Sequence, residues 1–244
     1  FLDLSTGFRS PNIDDLGKFF VKDEFLTVPN NDLIPEYAYN LSLGLISQKE
    51  LNKYKFSFSA SSFATLLDNV ITKQRFEIDG DNTIDYDGSS YEILANQNDK
   101  RALVYGASGS LGFNFKNFNF HSSICYTKGE INKSQLSMSH IPPLFGKINF
   151  KYSFKKFDLH ILNIFNTNKT LKSFGDGNTD NPAEATQDGY PKWWIVNTKA
   201  TYYWKKVIIL NMGVYNLFDI HYKTFASGIS APGRSLMISA KLAF

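Results

Sequence analysis

The sequence holds a single cysteine, Cys125, so it forms no internal disulfide and no thiolate metal cluster. It lacks any apolar run near the eighteen or so residues that a membrane-crossing helix requires, which excludes spanning by helices. It also lacks a charge of one sign. Its 26 Lys+Arg stand against 23 Asp+Glu, and the formal net charge of +3 is too balanced for a nucleic-acid binder. Neither an initiator methionine nor a charged-then-apolar leader is present, and the chain opens inside an alternating segment. The expectation is a mature or truncated chain.

What is present is alternation. In Tyr37-Ala38-Tyr39-Asn40-Leu41-Ser42-Leu43-Gly44-Leu45, large apolar residues alternate with small or polar ones, the two-residue period of a strand with unlike faces. Arg101 to Phe115 repeats it, with Leu103, Tyr105, Ala107, Leu111 and Phe113 opposite Gly106, Ser108, Ser110, Gly112 and Asn114. Further segments are Tyr54 to Ala60, Phe118 to Tyr126, Leu144 to Phe154, Trp194 to Trp204 and Val207 to Phe218. Weaker ones are Leu2 to Phe8, Phe157 to Phe165 and Leu236 to Phe244, which makes about ten strands. The mean hydropathy of -0.26 conceals this pattern, because the two faces cancel.

The character of the polar face decides between architectures. A soluble β-sandwich or propeller turns a Lys-, Glu- and Asp-rich face to water. Here that face is rich in Ser, Gly, Asn and Thr, while aromatics crowd the other, which suits a barrel with lipid outside and an aqueous lumen within. Connections alternate in length. Lys116-Asn117, Lys155-Lys156 and Lys205-Lys206 are tight turns, and Ser47 to Lys53 is slightly longer. Between them lie long polar stretches: Ser10 to Glu36, Asp68 to Asp99, Lys128 to Pro142, Lys172 to Lys192 and Asp219 to Gly233. Outer-membrane barrels sort their joins this way, short on the periplasmic side and long outside. Phe115 and Phe118, Phe154 and Phe157, and Tyr203 and Trp204 bracket the short turns as a girdle at the membrane–water boundary, although hairpin packing also favours aromatic pairs.

Three passages carry a family resemblance. Ser5-Thr6-Gly7-Phe8-Arg9-Ser10-Pro11-Asn12-Ile13-Asp14-Asp15-Leu16, Pro29-Asn30-Asn31-Asp32-Leu33-Ile34-Pro35-Glu36-Tyr37, and Val214-Tyr215-Asn216-Leu217-Phe218-Asp219 onward through Ser227 to Arg234 and Phe244 resemble ordered signatures of TonB-dependent outer-membrane receptors. The same residues also have plain structural readings: Asn12, Asp14 and Asp15 as turn and capping residues, and Asn216 and Asp219 as backbone partners at a strand end. The resemblance implies an all-β, antiparallel up-and-down transmembrane barrel of about twenty-two strands with a plug inside. Residues 1–244 would be about ten C-terminal strands of it, with the plug and earlier strands absent from this sequence. It implies import of an iron complex, siderophore or haem, with energy from TonB, insertion in outer-membrane lipid, and no covalent chemistry or cofactor. Leu236, Ile238, Ala240, Leu242 and Phe244 look like the signal read by the barrel assembly machinery.

Cargo contacts are less defined. Haem receptors of this family carry an iron-ligating histidine between the first two passages, and none lies between Pro11 and Asn30 here. Of His121, His140, His160 and His221, alternation puts His121 and His160 on the lumen face and the other two in outer loops. His140 is the best loop candidate. Arg9 and Arg234 suit anionic chelates, and Tyr190, Trp193 and Tyr222 suit stacking on a flat ligand, with interface anchoring or a lumen ion pair as the plainer reading of each. Asp79, Asp81, Asp85 and Asp87 resemble a calcium loop but lack its closing Glu, so Asp68 to Asp99 reads as a flexible solvated loop. Two rival functions stand beside import: a complete ten-strand outer-membrane enzyme, and a passive pore or adhesin working without TonB.

Overall fold

The computed structural model describes residues 1–131, 136–175, 179–205 and 207–242. Its elements in chain order are β1 (Leu2–Arg9), α1 (Ile13–Gly17), β2 (Phe20–Lys22), β3 (Phe25–Val28), β4 (Glu36–Leu51), β5 (Tyr54–Arg75), β6 (Thr83–Tyr86) and β7 (Ser89–Phe115). There follow β8 (Phe118–Ile131), β9 (Leu136–Ser137), β10 (Phe145–Phe154), β11 (Phe157–Asn166), β12 (Trp193–Trp204), β13 (Ile208–Tyr215) and β14 (Ser235–Leu242). Ten strands form one hydrogen-bonded path, β1-β4-β5-β7-β8-β10-β11-β12-β13-β14, and every pair along it is antiparallel.

Register turns the alternation of single strands into two continuous faces. One row runs Phe56, Phe113, Phe120, Phe150, Ile161, Thr198, Val214, Leu236 across eight strands. The next row, on the opposite face, runs Ser57, Gly112, His121, Asn149, Leu162, Asn197. A slip of one residue at any pair would exchange the faces, so the pattern fixes the register. His121 and His160 lie on the polar face, where His160 Nε2 meets Asn149 Oδ1. Hydroxyls also pair across strands there: Ser59 with Ser110 at 2.7 Å and Ser61 with Ser108 at 2.8 Å.

No other part of the described protein covers the apolar face. Leu41, Leu43 and Leu45 are 41%, 50% and 61% exposed, and Ile238 is 72% exposed. Such a face stands only where hydrocarbon replaces water. The small buried clusters lie instead at the long-loop end. Leu26, Val28, Ile93 and Ala95 form one cluster where β3 pairs parallel to β7, and Val70, Ala102 and Ile131 form another. That parallel pair departs from a purely up-and-down plan. It arises because the Ser10 to Glu36 stretch carries its own helix and the β2–β3 hairpin.

Three further expectations are corrected. Asp68 to Asp99 is not a solvated loop. The β5–β7 ladder continues from Val70↔Asp99 to Arg75↔Leu94, and β6 closes on β7 through Asp87-Gly88, both at positive φ. Above the apolar belt a strand needs no greasy face. Beside the buried clusters, amide side chains hold this region, with Asn98 Nδ2 donating to Asn69 O at 2.7 Å and to Ile34 O at 2.9 Å. Secondly, β4 runs to Leu51, so the β4–β5 turn is only Asn52-Lys53, as tight as the others. Lastly, Tyr203 leaves the girdle. It sits on the polar face and donates from its hydroxyl to Asp158 at 3.1 Å, while Tyr202 packs on Phe157 with centroids 4.7 Å apart. Of the others, Phe154, Phe157 and Trp204 are exposed beside their turns, and Phe115 and Phe118 are half-buried. Lys206 lies outside the described residues.

Candidate functional site

At the long-loop end, the join between β1 and β4 begins with a polar clip. Asn12 caps α1 by accepting from Asp15 N at 2.9 Å, and the Asp15 carboxylate accepts from Asn12 N at 3.0 Å, a reciprocal capping box. Arg9 closes on the same carboxylate at 2.7 Å and reaches Glu36 at 3.7 Å. Glu36 in turn accepts from Ile71 N at 2.9 Å, tying the clip to β5. The capping reading of Asn12 and Asp15 is therefore what the structure shows, and Arg9 is spent within the clip. At the β13–β14 join Asn216 is buried. It donates to Ile220 O at 2.9 Å and accepts from Ile220 N at 2.9 Å, while Asp219 accepts from Arg234 N at 2.6 Å.

The join between β11 and β12 is a hub. Asp180 has no exposed surface and accepts from His140 N and Gly175 N, both at 2.7 Å. It thereby binds this join to the one before β10. Lys169, also buried, donates to Ile141 O at 2.7 Å and lies 5.2 Å above the Phe225 ring. Burial pushes the Lys169 ammonium below the ordinary lysine range, and the Asp180 carboxylate partly opposes that shift. Asn181 donates to Ala226 O at 2.6 Å and pairs with Lys22, and Lys223 pairs with Glu184 at 2.6 Å. One segment therefore touches the β2–β3 hairpin and both neighbouring long joins.

Beside this hub, residues from the β11–β12 and β13–β14 joins enclose a cavity of about 250 Å³ lined by Tyr190, Trp193, Tyr222, His221, Glu184 and Lys223, among others. Trp193 and Tyr222 pack against each other in a tilted contact, with ring centroids 4.5 Å apart at 40°. Tyr190 is 3% exposed; its hydroxyl donates to Asn181 O at 3.1 Å and its ring packs on Phe174 and Phe225. Burial raises the Tyr190 phenol above its usual range, with Glu184 and Asp180 adding to the effect. His221 Nε2 meets Ser230 Oγ at 3.1 Å. Aromatic faces beside one cation–carboxylate pair can grip a flat or partly charged ligand by stacking and hydrogen bonds.

The structure thus brings Tyr190, Trp193 and Tyr222 together and leaves the other candidates apart. His140 has an exposed ring 3.9 Å from Asp180, outside the cavity. Arg9 belongs to the clip, and Arg234 is exposed at the start of the last strand. Sequence reading missed Asp180, Lys169 and the Phe174–Phe225 packing, because a buried carboxylate in a polar loop looks like any solvated one. Leu236, Ile238, Ala240 and Leu242 share the apolar face of β14, and Phe244 lies outside the described residues. No cluster of three or more His, Cys, Asp or Glu positioned for a metal occurs among the described residues.

Comparison with known proteins agrees with this architecture. A probable TonB-dependent siderophore receptor, PirA of Acinetobacter baumannii, is 22% identical over 92% of this chain and 32% of its own length. A probable hemoglobin and hemoglobin-haptoglobin-binding protein 4 of Haemophilus influenzae is 22% identical over 98% of this chain and 27% of its own. The chain thus spans about a third of these relatives. Among solved structures, the copper transporter OprC superposes over 100% of this chain and 37% of its own with a TM-score of 0.73 at 18% identity, a likeness of fold. The family model described as TonB dependent receptor-like, beta-barrel, matches residues 1–217, and the chain belongs to that family.

Proposed function

We propose that this chain is the C-terminal part of an outer-membrane receptor that binds an iron complex, siderophore or haem, at its outer rim and imports it with energy from TonB. The observation that carries the reading is the convergence of Trp193, Tyr222 and Tyr190 on one cavity at the long-loop end of a sheet whose other face is bare hydrocarbon-compatible surface. The names of the two curated relatives favour iron complexes, one a siderophore receptor and the other a binder of haemoglobin. Arg234 and His140 are secondary contacts, reached by a ligand larger than the cavity. A plug domain, contact with TonB and recognition of the last strand by the barrel assembly machinery belong to the same reading. No covalent step is involved. Binding and plug movement carry the mechanism.

The test is growth of a deletion strain on a panel of iron sources, complemented with the whole gene or with Trp193→Ala. The wild-type gene restores growth on a siderophore or haem source. The variant, present in the outer membrane at equal level, loses most of that growth. Restoration on no iron source overturns the function, and equal growth of the two strains overturns the site.

A further inference from the structure

On the apolar face of β7, β8 and β10, small residues open a gap between large ones. In register, Gly109 faces Ile124, Ile124 faces Gly146 and Gly146 faces Phe165, while Leu111 faces Ser122 and Ser122 faces Ile148. The Phe165 ring leans over Gly146, where an added Cβ would lie 2.6 Å from Phe165 Cζ. Nothing covers Gly109 in that way, and the nearest heavy atoms to a Cβ there stand 3.8 Å off. The outcome is an open groove of about 400 Å³ between Phe58, Leu111, Ile148 and Phe165, with Gly109 and Ser122 at its base.

The lining says what can lie there. It contains no charged residue, and its sole hydroxyls are those of serines. A peptide would bring N–H and C=O groups with no partner, and a headgroup would bring an uncompensated charge. A hydrocarbon chain brings neither. At about 30 Å³ per small group in a liquid, the groove has room for about a dozen methylenes. Below it, on the short-turn side, stand Lys116 at the end of β7 and Lys155 at the end of β10. Their ammonium groups lie 5.1 Å and 5.2 Å from the Phe115 and Phe154 ring centroids, and neither has an acidic partner in ion-pair range among the described residues. Leu111 is five residues up the strand from Lys116, about 17 Å at a rise of about 3.3 Å per residue, a span that a phospholipid acyl chain covers.

We propose that this face seats one phospholipid, its phosphate at the Lys116 and Lys155 rim and one acyl chain in the groove over Gly109 and Ser122. The rim supplies charge complementarity and the groove supplies an apolar gap bounded by Phe58, Leu111, Ile148 and Phe165. Binding is by hydrophobic burial and screened attraction, without any covalent step.

The test reconstitutes the whole receptor in phosphatidylglycerol vesicles carrying a phospholipid with a mid-chain diazirine, photolyses them, and maps the insertions by mass spectrometry. Labelling is expected to concentrate severalfold on peptides holding Gly109 to Leu111 and Ser122 to Ile124, relative to the equally bare belt at Leu43 and Ile238. Gly109→Phe or, from the neighbouring strand, Ser122→Leu fills the groove and removes that excess while belt labelling persists, which also shows that the variants are folded. Replacing both Lys116 and Lys155 with Glu lowers the excess in phosphatidylglycerol, and inorganic phosphate does not compete for it. Uniform labelling of the belt, or an excess that survives Gly109→Phe, overturns the proposal; an excess indifferent to the lysines overturns its rim half.

Discussion

Asp180 and Trp193 show how single residues divide the work at the outer rim. Asp180 is a carboxylate with no exposed surface, held there because two backbone N–H groups, from His140 and Gly175, point at it and Lys169 stands near. Asp180→Asn keeps one carbonyl oxygen and loses the second acceptor, so one of those N–H groups is left buried and unpaired. The expected cost is about 1–3 kcal/mol of local stability. Hydrogen exchange at His140 and Gly175 in the whole receptor measures it, with faster exchange expected at one or both and unchanged exchange among the β10 amides. This residue was illegible in the sequence because burial is a tertiary property. Asp180 sits among Thr, Asn and Pro, the usual vocabulary of an exposed turn. Trp193 and Tyr222 were legible as aromatics in polar joins, but not as a contacting pair, since they stand 29 positions apart in the chain. For Arg9 the partner Asp15 stands in plain view six residues away, yet only the closed capping box shows that this pair has a structural role.

At the scale of the element, alternation is a physical requirement only where a strand has two different solvents. β4 obeys it from Tyr37 to Leu45, and that stretch could be read directly. β5 and β7 obey it in their lower halves and then continue as ladders in which buried Val70, Ile93 and Ala95 mix with amides and charges without alternating, which is why Asp68 to Asp99 reads as a loop in the sequence. Leu43→Arg places a cation on the lipid side, near mid-height of β4, and is expected to destabilise the folded barrel by about 2–4 kcal/mol. Urea titration of the receptor refolded into vesicles checks this. The turns carry a second prediction. Lys155 and Lys116 sit at φ 51° and 48°, left-handed backbone that favours glycine, yet both positions are lysine. Lys155→Gly is expected to stabilise the β10–β11 hairpin by up to about 1 kcal/mol in the same titration. A loss of stability would show that the contact of its ammonium with Phe154 outweighs the strain.

Across the whole molecule, ten strands in register make a sheet that is greasy on one side and hydroxyl-lined on the other, with its buried clusters displaced to the long-loop end. Strand number, path order and facing could be read from the sequence, since each follows from a period of two and from where short turns fall. The β3–β7 parallel pair and the hub around Asp180 could not, since both depend on joins meeting that are remote in the chain. The central claim is that odd-numbered residues of β4 face hydrocarbon. Single cysteines at positions 39 to 45, placed in the whole receptor with Cys125→Ser, spin-labelled and reconstituted, report it through collision with oxygen, which concentrates in the bilayer, against a water-soluble nickel chelate. The account predicts oxygen-dominated collisions at Tyr39, Leu41, Leu43 and Leu45 and none at Asn40, Ser42 and Gly44. A profile without a period of two, or with nickel favoured at the odd positions, would contradict it.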